Sequence, residues 1–527
     1  MNVNPPKSCS LRPCQVLASA VRLLTYLALT LSLLLTLASC TTPQKLGPNI
    51  VFIMTDDQPA ELTAAMPNVQ RLLADEGVAF SSAFATTSLC CPARTTVLRG
   101  QYVHNHKVLS NGGPQGGFPK FYQTGFEAST LATWLQSAGY RTALMGKYLN
   151  AYPFGPPADN PPNYRAPRRS YVPPGWNEWF GFFDVPQDAS NTPYRMYNYR
   201  VNDNGRAVWY GGHASDYQTD VLSAKAVDFI RRGRRSSKPF FLYLVPTAPH
   251  LPVVPAERHK DKLLGLEVPR SPAFNEADTS DKPRWVQSVP PLTNAQIAEE
   301  DKVYRQQAEM LLAVDELVGT LIETLKEKGE LQNTYIVFTS DQGFHSGEHR
   351  LMKMKLTPYA ASSQIPLIIR GPGIPRGQTE DELVLNTDLA PTIAELAGAK
   401  APAFVDGRSL KPLWEGTKTA WRQTALSEFW PRRALEDYGL EHLNTLVEVP
   451  KYRAVRSKRH LFVEYSYQDG TQEGELYDLQ NDPFELENLY SRTDPGLLGA
   501  FSAHAKRLQA CAAQTCREAE DASPEGL

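Results

Sequence analysis

Strand patterns that alternate with helical segments constrain the fold of this chain more than any other feature of its sequence. Runs rich in β-branched and aliphatic residues predict buried strands at Asn49–Met54, Arg141–Met145, Phe240–Val245, Thr334–Phe338 and Pro366–Ile369. Apolar residues at helical spacing predict helices at Asn68–Glu76, Leu131–Ser137, Tyr217–Arg232, Val303–Glu327 and Asp388–Leu396. This alternation predicts an α/β domain, over residues 47–415, with a large, mainly parallel sheet sandwiched by helices.

The pattern changes after about residue 415. Short strand-like segments follow at Tyr452–Arg456, Leu461–Tyr465 and Glu473–Tyr477, without clear helices between them. They predict a smaller C-terminal subdomain with an antiparallel sheet, over residues 416–517, closed by a helix near Ala500–Ala510. Residues 518–527 are predicted to form a polar tail.

Polar residues appear directly after several of the predicted strands. Any one of them is an ordinary turn, helix-cap or surface residue when it is considered alone. In open parallel sheets, however, ligands bind at the carboxyl ends of the strands, so these side chains are expected to meet in one pocket. The residues are Asp56 and Asp57, Lys147, His250, and Asp341 with Gln342.

The N-terminal region has the pattern of an export signal. A basic segment precedes an apolar run from Leu23 to Leu37. The motif Leu37-Ala38-Ser39-Cys40 is similar to the bacterial lipobox, which predicts a lipoprotein signal peptide at 1–39, lipidation of Cys40 and a tether at 40–46. The alternative is an uncleaved membrane anchor, for which the apolar run is slightly short. Both interpretations place the protein outside the cytoplasm, and the lipobox predicts a lipid-anchored protein of the bacterial cell envelope.

The composition bears on whether the chain binds nucleic acid. The 527 residues carry a formal net charge of -2, and no basic run alternates with aromatic residues. The chain therefore lacks the electrostatic features of a nucleic-acid-binding protein, and no nucleic-acid partner is predicted.

The cysteines divide by position. Cys511 and Cys516 are closely spaced near the C-terminus, and in an oxidising compartment this favours a disulfide, although spacing alone does not establish connectivity. Cys90 begins the segment Cys90-Cys91-Pro92-Ala93-Arg94, which has the pattern Cys-x-Pro-Ser/Ala-Arg. The structural alternative is a buried thiol ahead of a helix that begins with Pro92.

The Cys90 segment and its extension to Gly100 resemble the signature of the sulfatase family. The resemblance extends from Asn49–Asp57 to Glu475–Leu479, nearly the whole mature chain. Within the family, the chain is most similar to N-acetylglucosamine-6-sulfatases and heparan endosulfatases. The subgroup motifs are Leu89-Cys90-Cys91-Pro92, Tyr102-Val103-His104-Asn105-His106, Gly146-Lys147-Tyr148-Leu149-Asn150 and Cys511 with Cys516-Arg517.

The resemblance implies a modified nucleophile. A formylglycine-generating enzyme would oxidise Cys90, but not Cys91, to an aldehyde that hydrates to a geminal diol. One hydroxyl would attack sulfur and expel the alcohol, and the second would then release sulfate by regenerating the aldehyde. Pro92 is predicted to begin a helix whose dipole favours the anionic substrate, and Arg94 to steady the diol and the metal site.

The resemblance also implies a metal site and sulfate contacts. Asp56, Asp57, Asp341 and Gln342 offer only carboxylate and amide oxygens, and formylglycine at position 90 adds another, which suits a hard cation. Calcium is the usual ion of the family, with magnesium as the alternative, and Gln342 replaces the more frequent Asn. The sulfate contacts are assigned to Lys147, His250 and Lys355.

One position departs from the pattern of the family. Many sulfatases carry a histidine two residues after the lysine that matches Lys147, but here that residue is Leu149. The proton acceptor for release of sulfate is therefore open, with His104, His106 and His345 as candidates.

The function that these features predict is hydrolysis of sulfate esters in a sulfated carbohydrate, specifically the 6-sulfate of N-acetylglucosamine in glycosaminoglycan-type glycans. The alternatives are an arylsulfatase and a phosphonate or phosphate monoester hydrolase with the same nucleophile. A third hypothesis is a glycan-binding lipoprotein that kept the fold without activity, and the intact set from Asp56 to Lys355 argues against it.

Overall fold

Ten strands form the central sheet of this computed structural model, which describes residues 1–5, 47–153, 163–184, 192–233, 238–417, 420–430 and 447–524. The predicted signal peptide (beyond its first five residues), Cys40 and the tether lie outside the described residues. In chain order, the strands are β1 Asn49–Thr55, β2 Val78–Phe80, β3 Ala83–Phe84, β4 Arg141–Gly146, β5 Glu178–Phe182, β6 Tyr199–Asp203, β7 Arg206–Tyr210, β8 Phe240–Val245, β9 Thr334–Ser340, β10 His345–Ser346, β11 Met352–Met354, β12 Leu367–Arg370, β13 Gln378–Glu380, β14 Val384–Leu385, β15 Ala425–Phe429, β16 Lys451–Arg456, β17 His460–Ser466 and β18 Gln472–Asp478.

The order of strands in the central sheet is β13-β2-β12-β9-β1-β8-β4-β5-β6-β7. Its centre, β9-β1-β8-β4-β5, is parallel, as predicted. The sheet as a whole is mixed, however, because β12, β6 and β7 pair antiparallel with their neighbours. The predicted strand Pro366–Ile369 corresponds to β12, which follows β9 through the short hairpin β10-β11 and needs no helical crossover to run antiparallel.

The helices of the described residues lie at α1 Pro67–Val69, α2 Cys90–Arg99, α3 Val103–His106, α4 Gly117–Gln123, α5 Leu131–Ser137, α6 Gln218–Gly233, α7 Arg284–Gln287, α8 Asn294–Glu327, α9 Ala360–Ser363, α10 Leu389–Leu396, α11 Lys411–Trp414, α12 Pro495–Ala510 and α13 Gln514–Glu520. Helix α8 begins at Asn294 rather than at the predicted Val303, because Thr293 and Gln296 form a capping box there. The predicted helix Asn68–Glu76 is α1 continued by a π-helical turn at Gln70–Ala74. None of the helices in these ranges is long and apolar enough to cross a membrane.

Both faces of the central sheet are covered, as the predicted sandwich requires. Alternate residues of β1 enter two different apolar cores, because side chains alternate between the faces of a strand. Ile50, Phe52 and Met54 pack in the core that includes residues of α2, α5 and α10. Val51 and Ile53 pack in the core that includes residues of α6 and α8. The α/β architecture is therefore confirmed.

The second sheet, β15-β16-β17-β18, is antiparallel, which confirms the smaller C-terminal sheet. One of its faces shares an apolar core with Leu89 and Leu356, the neighbours of Cys90 and Lys355. Residues from Gly47 onward form one compact unit, so the predicted division at residues 415 and 416 does not separate two independent bodies. The C-terminal sheet instead supports the elements that carry the site.

The predicted polar tail begins too early at residue 518. Residues 518–520 belong to helix α13, and Glu520 is fully buried. Its carboxylate accepts a hydrogen bond from Arg422 Nε at 2.9 Å, while the two terminal nitrogens of Arg422 reach Asp388 at 2.6 and 2.8 Å. A charged side chain is normally solvated, and here the buried guanidinium of Arg422 holds Glu520 inside.

This buried ion network predicts a large effect on stability. Arg422→Ala leaves the carboxylates of Asp388 and Glu520 buried without their shared cation, which should lower the free energy of unfolding by about 3–5 kcal/mol. Chemical denaturation of the purified protein measures the change. As a control, Arg453→Ala breaks a partly exposed pair with Glu464 and should cost less than about 1 kcal/mol. Equal losses in the two variants would contradict the assignment of a structural role to the buried network.

Candidate active site

The predicted polar residues lie at or beyond the carboxyl ends of four adjacent parallel strands, β9, β1, β8 and β4. Asp341 and Gln342 follow β9, Asp56 and Asp57 follow β1, Lys147 follows β4, and His250 lies in the loop after β8. All of them are buried. The remaining members come from two other elements, Cys90 and Arg94 from helix α2 and Lys355 from the segment after β11.

Helix α2 begins at Cys90, two residues before the predicted start at Pro92, and the side chain of Cys90 faces this polar cluster. Its Sγ lies 3.1 Å from Lys355 Nζ, 3.2 Å from Gln342 Nε2 and 3.7 Å from Asp57 Oδ1. Burial raises the pKa of the Cys90 thiol to about 12, although Lys147 and Lys355 act in the opposite direction. The unmodified thiol therefore stays protonated near neutral pH and is a poor nucleophile.

Cys91 has a different environment. Its side chain belongs to the apolar core beneath the sheet, and its backbone N–H donates to Asn111 Oδ1 at 2.8 Å. The Asn111 amide thus satisfies one of the free N–H groups at the beginning of α2, although Asn111 is distant in sequence. The two neighbouring thiols therefore have different surroundings: Cys90 faces the polar cluster, and Cys91 packs in the apolar core.

Three carboxylates and three cations alternate through the cluster. Asp56 accepts from Lys147 Nζ at 2.7 and 3.0 Å, and its Oδ1 lies 3.2 Å from Arg94. Arg94 Nε also donates to Asp341 at 2.9 Å. Asp57 accepts from Lys355 Nζ at 2.8 and 2.9 Å. Arg94 thus contacts two of the predicted metal ligands.

The charges of the cluster are set by burial and by these partners. Burial alone would raise the pKa of Asp56, but Lys147 and Arg94 outweigh it and hold this pKa well below its usual range. Lys355 and His250 likewise outweigh burial at Asp57 and lower its pKa. Burial dominates at Asp341 and raises its pKa to about 7, and at His250 it lowers the pKa to about 4. The two carboxylates after β1 are therefore fixed anions.

The residues of the cluster fit a hard cation. Ligand atoms of Asp56, Asp57, Cys90 and His250 lie within 4.8 Å of one another. The buried Oε1 of Gln342 has no hydrogen-bond partner among the described residues, which leaves an amide oxygen available as a ligand. Carboxylate and amide oxygens in this number favour calcium or magnesium over a softer metal.

The structure places the three candidate histidines elsewhere. His104 Nδ1 lies 2.8 Å from Glu428, His106 Nε2 lies 3.1 Å from Thr96 Oγ1, and His345 Nε2 lies 2.7 Å from Thr357 Oγ1. None of them hydrogen-bonds or ion-pairs with Cys90 or with the carboxylates around it in the described part of the chain. Leu149, at the position of the missing histidine, is fully buried in the apolar core.

Tyr194 was not predicted from the sequence, but its ring lies beside two residues of the site. It is 4.4 Å from the ring of His250, and Lys147 Nζ lies 5.0 Å from its centroid. Tyr194 belongs to a single 3-10 turn, Pro193–Arg195, with no strand end and no known motif to identify it. Asn111 was missed for the same reason.

Cys511 and Cys516 form a disulfide in the structure. It joins the segment after α12 to α13, and the backbone oxygen of Cys511 lies 3.0 Å from His104 Nε2. This pair therefore belongs to the contact between the C-terminal helices and the segment after α2.

Comparisons with known proteins bear on the family and the fold. A family model described as Sulfatase matches residues 48–399, and one described as N-sulphoglucosamine sulphohydrolase, C-terminal, matches residues 347–509. N-acetylglucosamine-6-sulfatase of Capra hircus is 34% identical over 493 residues, which cover 89% of this chain and 85% of that protein. The extracellular sulfatase SULF-1 homolog of Drosophila melanogaster is 37% identical over 394 residues, 73% of this chain and 32% of that protein.

A solved structure of a protein in complex with its substrate D-glucosamine-2-N,6-O-disulfate superposes with a TM-score of 0.71 at 24% identity, covering 90% of this chain and 99% of that one. At this identity the likeness supports the fold. Together with the family match, the fold and the acidic site define a sulfuric ester hydrolase. The chain belongs to the sulfatase family, and the resemblance inferred from its motifs is confirmed.

Proposed function

We propose that this sulfatase hydrolyses the 6-sulfate of N-acetylglucosamine in glycosaminoglycan-type glycans, with formylglycine made from Cys90 as its nucleophile. The observation that carries the proposal is the position of Cys90, the one cysteine of the pair whose sulfur faces Lys355, Gln342 and Asp57. The N-acetylglucosamine-6-sulfatases that are 34% identical to this chain support the choice of substrate. A formylglycine-generating enzyme is the partner that the modification requires.

The nucleophile is supported by the helix that carries it. Position 90 lies at the beginning of α2, where the helix dipole favours a bound anion. When present, formylglycine supplies a hydrated aldehyde whose hydroxyl attacks sulfur. The surrounding side chains exclude water, since Cys90 and its contacts are all buried.

The cations neutralise charge on the sulfate group. Lys147 and Lys355 carry ammonium groups within the cluster, and each is anchored by a carboxylate that keeps it charged. Burial lowers the pKa of both lysines, but Asp56 and Asp57 outweigh it and raise these pKa values above normal. Both lysines therefore act as fixed positive charges toward the developing negative charge.

The metal of this proposal is one calcium ion, with magnesium as the alternative. Asp56, Asp57, Asp341 and Gln342 would hold it together with the side chain at position 90. A hard cation in this place supplies Lewis-acid polarisation of the sulfate oxygens. Arg94 binds Asp56 and Asp341 at once and so orients two of the ligands.

A matched pair of substrates tests the proposal. N-acetylglucosamine 6-sulfate and N-acetylglucosamine 6-phosphate differ only in the central atom and in charge. The N-acetylglucosamine-6-sulfatases among the relatives favour the sulfate, so we expect its kcat/KM to be higher by about 100-fold or more. The 3-sulfated isomer and an aryl sulfate test the position and the sugar. Preference for the phosphate would indicate a phosphomonoesterase, and preference for the aryl sulfate an arylsulfatase.

A further inference from the structure

Tyr194 lies between the loops that carry Lys147 and His250. Its ring is tilted by 30° against the ring of His250 at 4.4 Å, and Lys147 Nζ lies over the same ring at 5.0 Å. The side chain is buried. A neutral aromatic ring therefore contacts two of the groups that the proposed function assigns to sulfate.

The hydroxyl of Tyr194 ties the ring to the Lys147 loop. It donates to Asp184 Oδ2 at 3.2 Å and accepts from Asn150 Nδ2 at 3.3 Å. Asn150 follows Lys147 in the same loop, and Asp184 also accepts from the backbone N–H of Ala151 at 3.4 Å. These bonds connect the hydroxyl with residues 150, 151 and 184.

The backbone before Tyr194 is tied to the His250 loop. Gln218 donates to the carbonyl oxygen of Pro193 at 2.6 Å and accepts from Thr247 Oγ1 at 2.7 Å. Thr247 in turn precedes His250 in the loop after β8. The turn that carries Tyr194 thus lies between two loops that are about a hundred residues apart in the chain.

We infer that Tyr194 is a positioning residue whose ring holds the side chains of Lys147 and His250 in place beside position 90. The apolar Leu149 is packed into the core, so the Lys147 loop offers no imidazole of its own at that position. The ring of Tyr194 is the group that packs against the ammonium, with an attraction that is strongest in a desolvated site. The inference rests on the proposed function, because it assigns Lys147 and His250 to the sulfate group.

The test compares Tyr194→Leu with Tyr194→Phe. Leucine removes the ring, so we expect kcat to fall roughly ten- to a hundredfold because the reacting groups are misplaced, and KM to rise by no more than about tenfold, in line with weaker binding of the sulfate group. Phenylalanine keeps the ring and should keep kcat within about threefold of the wild type. Rescue by phenylalanine separates a role of the ring from a role of the hydroxyl.

Tyr199→Leu is the matched control. Tyr199 is also a fully buried tyrosine, with its hydroxyl on the backbone oxygen of Asp216 at 3.1 Å and its ring stacked on Tyr210 at 5.3 Å. This variant should lose stability but retain the kcat of the wild type. If it loses kcat as much as Tyr194→Leu does, the effect of Tyr194 is one of general packing and the inference is wrong.

Binding of inorganic sulfate, measured by calorimetry, gives a second measurement that needs no turnover. We expect Tyr194→Leu to bind sulfate about tenfold more weakly and Tyr194→Phe to bind it like the wild type. If the wild type hydrolyses no sulfate ester but sulfate binding follows this order, the proposed function fails and the inference stands. Wild-type kcat and sulfate affinity in Tyr194→Leu, or equal defects in both variants, would overturn the inference.

Discussion

Cys90→Ala should abolish turnover, by about 10⁵-fold or more, while leaving the fold intact, because it removes the attacking group. Alanine is smaller than cysteine and the site is lined by polar side chains, so no steric conflict arises. Cys91→Ala is the matched control, since it changes a neighbouring buried thiol that packs in the apolar core. We expect this control to retain activity and to lose some stability through the small cavity it creates.

The peptide that spans both residues provides a direct measurement. Mass spectrometry should find the aldehyde at position 90 and an ordinary thiol at position 91. Cys90→Ser should allow at most one transfer of sulfate, because a single hydroxyl cannot release sulfate by regenerating a carbonyl group. The serine variant should then carry a stable sulfate ester that the mass spectrum also detects.

Two results would contradict the assignment of the nucleophile. One is a fully active preparation in which Cys90 is unmodified, which would require a different attacking group. The other is an aldehyde at Cys91, which the structure points into the apolar core rather than toward Lys355. Either result would leave the family assignment intact, because that assignment depends on the whole chain.

The strand ends of the site could be predicted because burial and polarity change within a few residues there. The apolar run of β1 ends at Thr55, and Asp56 and Asp57 follow at once. A strand buried on both faces cannot place two carboxylates inside itself, so they must lie at its end. The same argument located Lys147 and Asp341, and parallel pairing of neighbouring strands then brought them together.

Other features depend on contacts that no local pattern records. The antiparallel direction of β12 depends on the hairpin and the helical turn that lie between it and β9, and the burial of Glu520 depends on an arginine about a hundred residues earlier. Tyr194 is a further case, since a tyrosine in a turn is ordinary until Lys147 and His250 lie against it. The three histidines near the sequence motifs were candidates only because distance in space was unknown, and the structure gives each of them another partner.

Asp57→Asn should lower kcat/KM by about 10³-fold, because it removes one negative charge from the proposed metal site. The substitution preserves the shape of the side chain. Asp57 has a positive φ of 59°, and asparagine tolerates this left-handed conformation well, so the backbone should not change. The charge that Lys355 and His250 face is lost, while the volume of the site stays the same.

Metal binding can be measured apart from activity. Calcium that binds the folded state should raise the melting temperature of the wild type, and the rise should be smaller for Asp57→Asn because affinity falls. Asp315→Asn is the control. Asp315 is also a buried aspartate, but it lies on helix α8 and accepts a hydrogen bond from the backbone N–H of Val69 at 2.8 Å. This control should lose some stability but keep the calcium-dependent rise and the metal content found by elemental analysis. Full turnover by a wild-type preparation free of metal would show that the carboxylates after β1 and β9 serve only to hold Arg94, Lys147 and Lys355.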